Sequence, residues 1–285
     1  MFEKKALIAI MKEYQQLDNL GVFEPLMPTE VSKNQKLNAL NANDLIKQKR
    51  CGKIKGRTVA DGRKQRDLYT KSEVYSPALS LEGFLATLLM DAKEGQHVAI
   101  ADIAGAFLKA GMNDLVIGVK LQGPTVDAIL KVNKQKYNKY VSYSSRKKTI
   151  YVKLKKAMYC AITAPLLWYT LFSRTLLNKG FKINPYDSCV ANKVVIGHQF
   201  TICWYVDDIK VSHKHKRVVN DMIKRIENKF YKMTITHGNK QTYLGMQLEI
   251  RDIKVNLQMS EYLQDFINDF PEEITKSAKL LLQNL

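Results

Sequence analysis

The chain has 285 residues, 46% of them hydrophobic, and carries 45 Lys and Arg against 27 Asp and Glu for a net charge of +18. That length supports one or two cored domains, and the basic excess points to a polyanion, most simply the phosphates of nucleic acid, although a basic and merely soluble surface has the same composition. No apolar run reaches the roughly 18–20 residues of a membrane span, so no membrane partner is expected.

The start, "MFEKKALIAIMKEYQQL", carries Glu3 and Glu13 and lacks a small-residue cleavage site, so it reads as a helix and not as a signal peptide. Residues 1–50 are otherwise mixed and polar, with helical pieces and a break at "EPLMPTE". "KQKRCGKIKGRTVADGRKQR" (47–66) is strongly basic and reads as short strands joined by turns. A helix follows: Pro77 suits a first turn after Ser76, "LSLEGFLATLLMDAKE" fills the body, and Gly95 ends it. "HVAIADI" (97–103) reads as a buried strand with an aspartate at its C-terminal end.

Val126 to Ser145, rich in Lys, Asn and Tyr, reads as an irregular surface excursion. "KTIYVKLKKAMY" resumes strand character, and "APLLWYTLFSRTLLNKG" is helical up to Gly180. "FTICWYV" and "IKVSH" form a hairpin whose turn region holds Asp207 and Asp208. "HKHK" (213–216) reads as two solvated histidines on a basic loop. Val219, Ile223, Ile226 and Phe230 lie along one helical core stripe. "QTYLGMQLEI" and "IKVNLQM" are short strands, and "SEYLQDFINDF" is a last amphipathic helix capped by Ser260, with Leu263, Phe266, Ile267 and Phe270 on one face. The four cysteines (Cys51, Cys160, Cys189, Cys203) are widely spaced and read as free thiols of a reducing compartment. Strands and helices alternate irregularly, without an internal repeat, which predicts an α+β domain rather than a parallel β/α array.

Charged pairs are costly in a half-buried strand, so Asp207 and Asp208 need a reason. Asp102 ends another apolar strand about a hundred residues earlier, and side-by-side strands would bring Asp102 close to Asp207. Like charges at such a distance repel, and a divalent cation resolves the conflict. Mg²⁺ takes hard oxygen ligands, one or two carboxylates plus substrate phosphates. Two such ions about 4 Å apart activate an attacking hydroxyl and stabilise a leaving pyrophosphate. With the basic charge, the chemistry suggested is nucleotidyl transfer on a nucleic acid. From these residues alone a second reading stands beside it, in which Asp102 caps a turn and Asp207–Asp208 is an ordinary hairpin turn.

Six motifs in order carry a resemblance: "KIKGRTVADGRKQR", "SPALSLEGFLATLLMDAKEGQHVAIADIAGAFLKAGMND", "LKKAMYCAITAPLLWYTLF", "GFKINPYDSCVANK", "WYVDD" and "YLGMQLEI". Over nearly its whole length the chain resembles the reverse transcriptase domain of copia-type LTR retrotransposons. The resemblance implies a right-hand polymerase with fingers and palm, an antiparallel sheet packed on helices, and an incomplete thumb. The implied boundaries are an N-terminal extension over 1–46, fingers over 47–97, a palm over 98–235 with an irregular insertion near 124–148, and the palm end and partial thumb over 236–285.

The implied activity is RNA-directed DNA polymerisation from deoxynucleoside triphosphates onto a primer, copying an RNA or DNA template with two Mg²⁺ ions, Mn²⁺ being able to substitute. Asp102, Asp207 and Asp208 are the implied catalytic carboxylates and metal ligands, joined by the main-chain carbonyl of Ile103. Lys55 and Arg57 match a basic pair that would hold the triphosphate, Arg through its planar fork. Phe107 is core by periodicity, and by resemblance the ring that excludes a ribose 2′-hydroxyl. Lys53 and Arg63 meet the template backbone or only solvent. Tyr205, with Trp204, flanks the site near the primer end, and Gly245 lies in the primer-gripping strand. Lys240 is a candidate proton donor to the pyrophosphate or a solvated loop lysine, and Trp168 and Tyr169 are structural aromatics.

Two departures stand out. The template-side segment reads "MYCAIT", with Cys160 where many relatives have glycine and Ile162–Thr163 where Lys–Gln often stands. "PEEITKSAKLLLQNL" breaks off where a thumb should begin, with no integrase or RNase H segment, so the chain is expected to be a fragment of a polyprotein. Its expected place is a cytoplasmic retrotransposon particle or the nucleus, not the secreted fraction. The rival expectation is a decayed remnant that binds nucleic acid without copying it.

Overall fold

Ala6, Ile10, Tyr14 and Leu17 recur at helical spacing and lie buried along one side of α1 (Phe2–Asn19), as the N-terminal pattern predicts. The computed structural model describes residues 2–48, 52–112, 118–231, 233–251, 253–268 and 270; Cys51 and the stretch after 270 read as a partial thumb lie outside the described residues. After α1 come β1 (Phe23–Pro25), α2 (Lys33–Asn38), β2 (Leu40–Gln48) and β3 (Ile54–Ala60). The polar run "LNANDLIKQ" shows no strand signal of its own. It is a strand because it pairs with β3 from Ala42↔Ala60 to Gln48↔Ile54.

A 3₁₀ turn over Gly62–Gln65 and the short α3 (Lys71–Val74) lead to α4 (Leu81–Glu94). α4 starts later than the Ser76–Pro77 expectation. Its cap is Ser80, whose hydroxyl accepts the Gly83 N–H at 2.9 Å and donates to Asp187 at 2.7 Å. Gly95 ends the helix in the left-handed conformation, as expected.

Next come β4 (His97–Ile103), a 3₁₀ turn over Ala106–Lys109, β5 (Gly118–Gln122), α5 (Pro124–Val132), α6 (Lys134–Tyr137), a 3₁₀ turn over Asn138–Tyr140, β6 (Ser142–Ser144) and β7 (Lys147–Leu154). The irregular insertion expected near 124–148 is thus ordered structure. Val126, Ile129 and Tyr137 are fully buried, and the Tyr137 hydroxyl donates to Asp18 of α1 at 2.7 Å. The Lys and Asn residues of this stretch hide a short amphipathic helix with Pro124 in its first turn.

The chain continues with α7 (Ala164–Leu177), β8 (Lys182–Ile183), β9 (Val190–Val195), β10 (His198–Tyr205), β11 (Asp208–His213) and α8 (Lys216–Phe230). It closes with β12 (Met233–His237), β13 (Lys240–Tyr243), β14 (Met246–Arg251), β15 (Lys254–Gln258) and α9 (Ser260–Asn268). His213 is no solvated loop residue: it ends β11, fully buried, with a ring nitrogen 3.0 Å from the Val195 carbonyl.

The described residues form three sheets, in the orders β12-β4-β11-β10-β9-β8, β1-β7-β5-β2-β3 with β6 on β7, and β13-β14-β15. Among the described residues the pairings of the first sheet are antiparallel, and helices pack against it, which makes the fold α+β. Phe84 and Leu88 of α4, Trp168 and Phe172 of α7, and Val219 and Ile226 of α8 share one core with Ile100, Ile202 and Val211 of that sheet. A second core joins Tyr14 and Leu17 of α1 to Val126, Ile129, Val119 and Val152. Lys210 of β11 and Asp91 of α4 form an ion pair with side chains 0% and 1% exposed. α9 forms with the expected apolar face, but Leu263, Phe266 and Ile267 are exposed. Among the described residues no helix is long and apolar enough to cross a membrane. Cys160, Cys189 and Cys203 are free thiols.

Candidate active site

β4 and β11 lie side by side, and their register sets Asp102 opposite Asp208. The Ile103 N–H donates to the Asp207 carbonyl at 2.9 Å, which extends the ladder into the turn. Only Val206 and Asp207 form that turn; Asp208 is already the first residue of β11, paired with Tyr205. Val206 takes φ +55°, a left-handed conformation unusual for a β-branched residue. Two buried side chains hold the turn in place: the Trp168 indole N–H donates to the Val206 carbonyl at 2.7 Å, and the Tyr243 hydroxyl donates to the Asp208 carbonyl at 3.3 Å. The structural reading of Trp168 therefore gains a specific task.

Asp102 and Asp207 open onto a cleft of about 560 Å³. Lys55 and Arg57 face them from β3, at alternate positions and so on one side of the strand, and Lys47 and Leu45 of β2 extend that wall. Ala104, Gly105 and Tyr159 line the cleft as well, and α1 contributes Glu13 and Gln16. The Arg57 guanidinium lies 5.1 Å from the centre of the Tyr159 ring. Phe107 is half-buried and packs T-shaped against that ring, 5.9 Å between centres, without lining the cleft itself.

Burial raises the Asp207 carboxyl above its usual range, with Asp102 adding repulsion and Arg57 and Lys55 opposing it. Asp208 is pushed up to about 6, by burial first and then by Asp207 and Asp102. Burial likewise raises Glu13, against the Thr58 N–H, Lys55 and Arg57. The Tyr159 hydroxyl rises to about 12, through burial and the surrounding carboxylates.

Other expected residues fall outside this cleft. Lys53 is exposed and does not line it. Arg63 is engaged by Asp61 in a two-pronged pair at 2.8 and 2.6 Å, so it is not a bare template contact. Tyr205 is exposed at the end of β10, whereas Trp204 is buried and stacks on Tyr169. Gly245 sits in the β13–β14 turn at φ +80°. Lys240 lies 3.6 Å from Glu249 in a separate recess, so the structure does not bring it to the carboxylates as a proton donor. Sequence reasoning missed Glu13, Gln16, Lys47 and Tyr159 as cleft residues. Tyr159 stood inside a quoted motif, but no local pattern singles out the other three.

Among the described residues no three His, Cys, Asp or Glu side chains are gathered into a ready-made ion site. The expected trio is instead two carboxylates in the cleft, Asp102 and Asp207, with Asp208 beside them in the sheet. That donor set still fits Mg²⁺. The ion is commonly held by one or two carboxylates, with substrate phosphates completing its shell, and the mutual repulsion of the carboxylates favours a cation between them.

Carboxylates at adjoining strand ends, set across an open cleft from a basic strand, have the charges that suit a phosphate-bearing substrate together with a cation. Residues 31–281 match the family described as reverse transcriptase (RNA-dependent DNA polymerase), and the chain belongs to that family. No curated protein sequence gives a significant match. Among solved structures, the chain is similar to the prototype foamy virus protease–reverse transcriptase at 16% identity and TM-score 0.44, covering 85% of this chain and 26% of that one. It is similar to telomerase from Candida albicans at 10% identity and TM-score 0.39, covering 84% of this chain and 49% of that one. For telomerase from Candida tropicalis the values are 12%, 0.40, 78% and 45%. The chain spans about half or less of each of those chains.

Proposed function

We propose that this chain is the reverse transcriptase domain of a copia-type LTR retrotransposon polyprotein, extending a DNA or RNA primer on an RNA or DNA template with deoxynucleoside triphosphates. The observation that carries the reading is the cleft in which Asp102 and Asp207 face Lys55 and Arg57. In this reading the sheet around β4, β10 and β11 is the palm and the β2–β3 ribbon belongs to the fingers, with boundaries near residues 46, 97 and 235. RNase H and integrase regions of the parent polyprotein are its further partners, and a cytoplasmic particle is its setting.

Asp102 and Asp207 would hold the divalent ions, with Asp208 and the Ile103 carbonyl adjoining. Bound there, two Mg²⁺ ions supply activation of the primer 3′-hydroxyl and neutralisation of the leaving pyrophosphate. Lys55 and Arg57 bind phosphate oxygens, Arg57 with its guanidinium oriented over Tyr159. Phe107, backing Tyr159, limits room for a 2′-hydroxyl. Asp207, raised by burial and by Asp102, and Asp208, raised by burial, Asp207 and Asp102, would be relieved of that repulsion by a neighbouring cation.

Primer extension on an RNA template with Mg²⁺ and deoxynucleotides, beside an Asp207→Asn, Asp208→Asn control, tests the proposal. Extension by the native chain that the double change abolishes is expected. Binding of primer–template at low salt without extension by either protein would sink the catalytic reading and leave a nucleic-acid-binding domain.

A further inference from the structure

The chain has five histidines, and all of them stand at one end of the first sheet, opposite the end that carries Asp102 and Asp208. His97 opens β4, His198 opens β10, His213 closes β11, His237 closes β12, and His215 is the residue before α8. Along β11 the two ends are about 17 Å apart, at a strand rise of about 3.4 Å per residue.

Continued outwards by the register that pairs Thr201 with Ser212, the β10–β11 ladder sets His198 opposite His215. Opposed residues of an antiparallel pair project from one face, with Cβ atoms about 4.5–5.5 Å apart. The two imidazoles stand 5.4 Å apart, centre to centre, with their planes at 74°. Two imidazoles on one tetrahedral ion stand about 5 Å apart, given metal–nitrogen bonds of about 2.0–2.1 Å and about 1 Å more to each ring centre. Both residues are exposed, and among the described residues neither ring makes a hydrogen bond.

His213 holds this pair in place without competing for an ion. Its Nδ1 accepts the His215 N–H at 3.0 Å, so its Nε2 carries the proton and donates to the Val195 carbonyl at 3.0 Å. Val195 is the β9 partner of His198, and one fully buried imidazole thus ties down the backbone on both sides of the pair. The neighbouring cations are directed elsewhere. Lys214 donates to the Glu94 carbonyl at 2.7 Å, Arg217 faces Asp221 at 3.8 Å, and Lys216 lines a recess with His97 and His237.

From this geometry we infer that His198 and His215 form a binding site for a late first-row transition-metal ion of the Zn²⁺, Ni²⁺ and Cu²⁺ class, with water completing its shell. Neutral imidazole suits these ions, whereas Mg²⁺ takes hard oxygen ligands. The site is separate from the Asp102–Asp207 cleft in place and in ion, and it does not depend on the chain being a polymerase. Bound metal would clamp the open end of the β10–β11 ladder to the start of α8.

Ni²⁺ titration by calorimetry tests the inference on the untagged full chain, with excess Mg²⁺ present to compete at the carboxylates. Binding of one ion is expected, weakened at least about 10-fold by His198→Ala and by His215→Ala. His97→Ala and Cys160→Ser, which remove another exposed imidazole and the exposed thiol, should leave it unchanged. Cu²⁺ should bind more tightly than Ni²⁺ or Zn²⁺. In the native chain, substoichiometric Cu²⁺ should broaden the imidazole NMR signals of His198 and His215 before those of His97 and His237, which decides the case without any variant. No binding in the presence of Mg²⁺, an affinity that survives both histidine substitutions, an equal loss with His97→Ala or Cys160→Ser, or earlier broadening of His97 and His237 would overturn the inference.

Discussion

Cys160→Gly is expected to stabilise the protein. Cys160 holds φ +65°, a left-handed conformation that crowds a Cβ against the following carbonyl at a cost of about 1–2 kcal/mol. Glycine removes that crowding but loses about 0.5–1 kcal/mol more chain freedom on folding. The thiol is exposed, so little packing is lost. The balance favours glycine by about 0.5–1 kcal/mol, or roughly 1–4 °C in Tm for a domain of this size. Thermal unfolding under reducing conditions would compare wild type, Cys160→Gly and Cys160→Ala. Alanine keeps the Cβ and should stay within about 0.5 kcal/mol of wild type. The backbone cannot simply relax instead, because a Cβ on Gly62 would already stand 2.4 Å from the Cys160 carbonyl oxygen. A glycine variant no more stable than wild type would refute the reasoning. An equal gain from alanine would lay the effect on the thiol and not on the backbone angle.

Two further outcomes follow from buried charge. With Asp208 raised to about 6, the folded chain holds that proton more tightly than the unfolded one; its contribution to stability is full below about pH 4 and lost as pH rises through 6. In the metal-free protein, NMR titration of the Asp208 carboxyl should centre near pH 6, and a midpoint below 5 would contradict this. Lys210→Met leaves the Asp91 carboxylate buried without its partner, and urea unfolding should show a loss of about 3–5 kcal/mol. Lys210→Met combined with Asp91→Leu should recover most of that, and a single variant as stable as the double would refute the pairing.

Elements whose burial pattern repeats locally were legible without coordinates. The stripe Val219, Ile223, Ile226, Phe230, the strand 97–103 and the hairpin around Asp207 all carry their period within a few residues. α5 escaped notice because its outward side is polar, and β2 because nothing local makes it a strand. Even the strong helical signal of α4 misplaced its start, since Ser80 caps the helix with help from Asp187, more than a hundred residues away.

The site divides along the same line. Its acidic residues were marked by local pattern, as carboxylates ending apolar strands, whereas Lys55 and Arg57 were marked by the resemblance of the basic run to a family motif. Cys160 stood out as a residue where glycine was expected, but its positive φ belongs to the folded backbone. Only tertiary structure decided that Lys240 faces Glu249 across the β13–β14 pair and that Glu13 and Gln16 join the cleft. The physical reason is that a side chain's partner is set by which surfaces pack together. α1 packs across β3 through contacts far apart in the chain, and no periodicity within α1 encodes what lies on the other side.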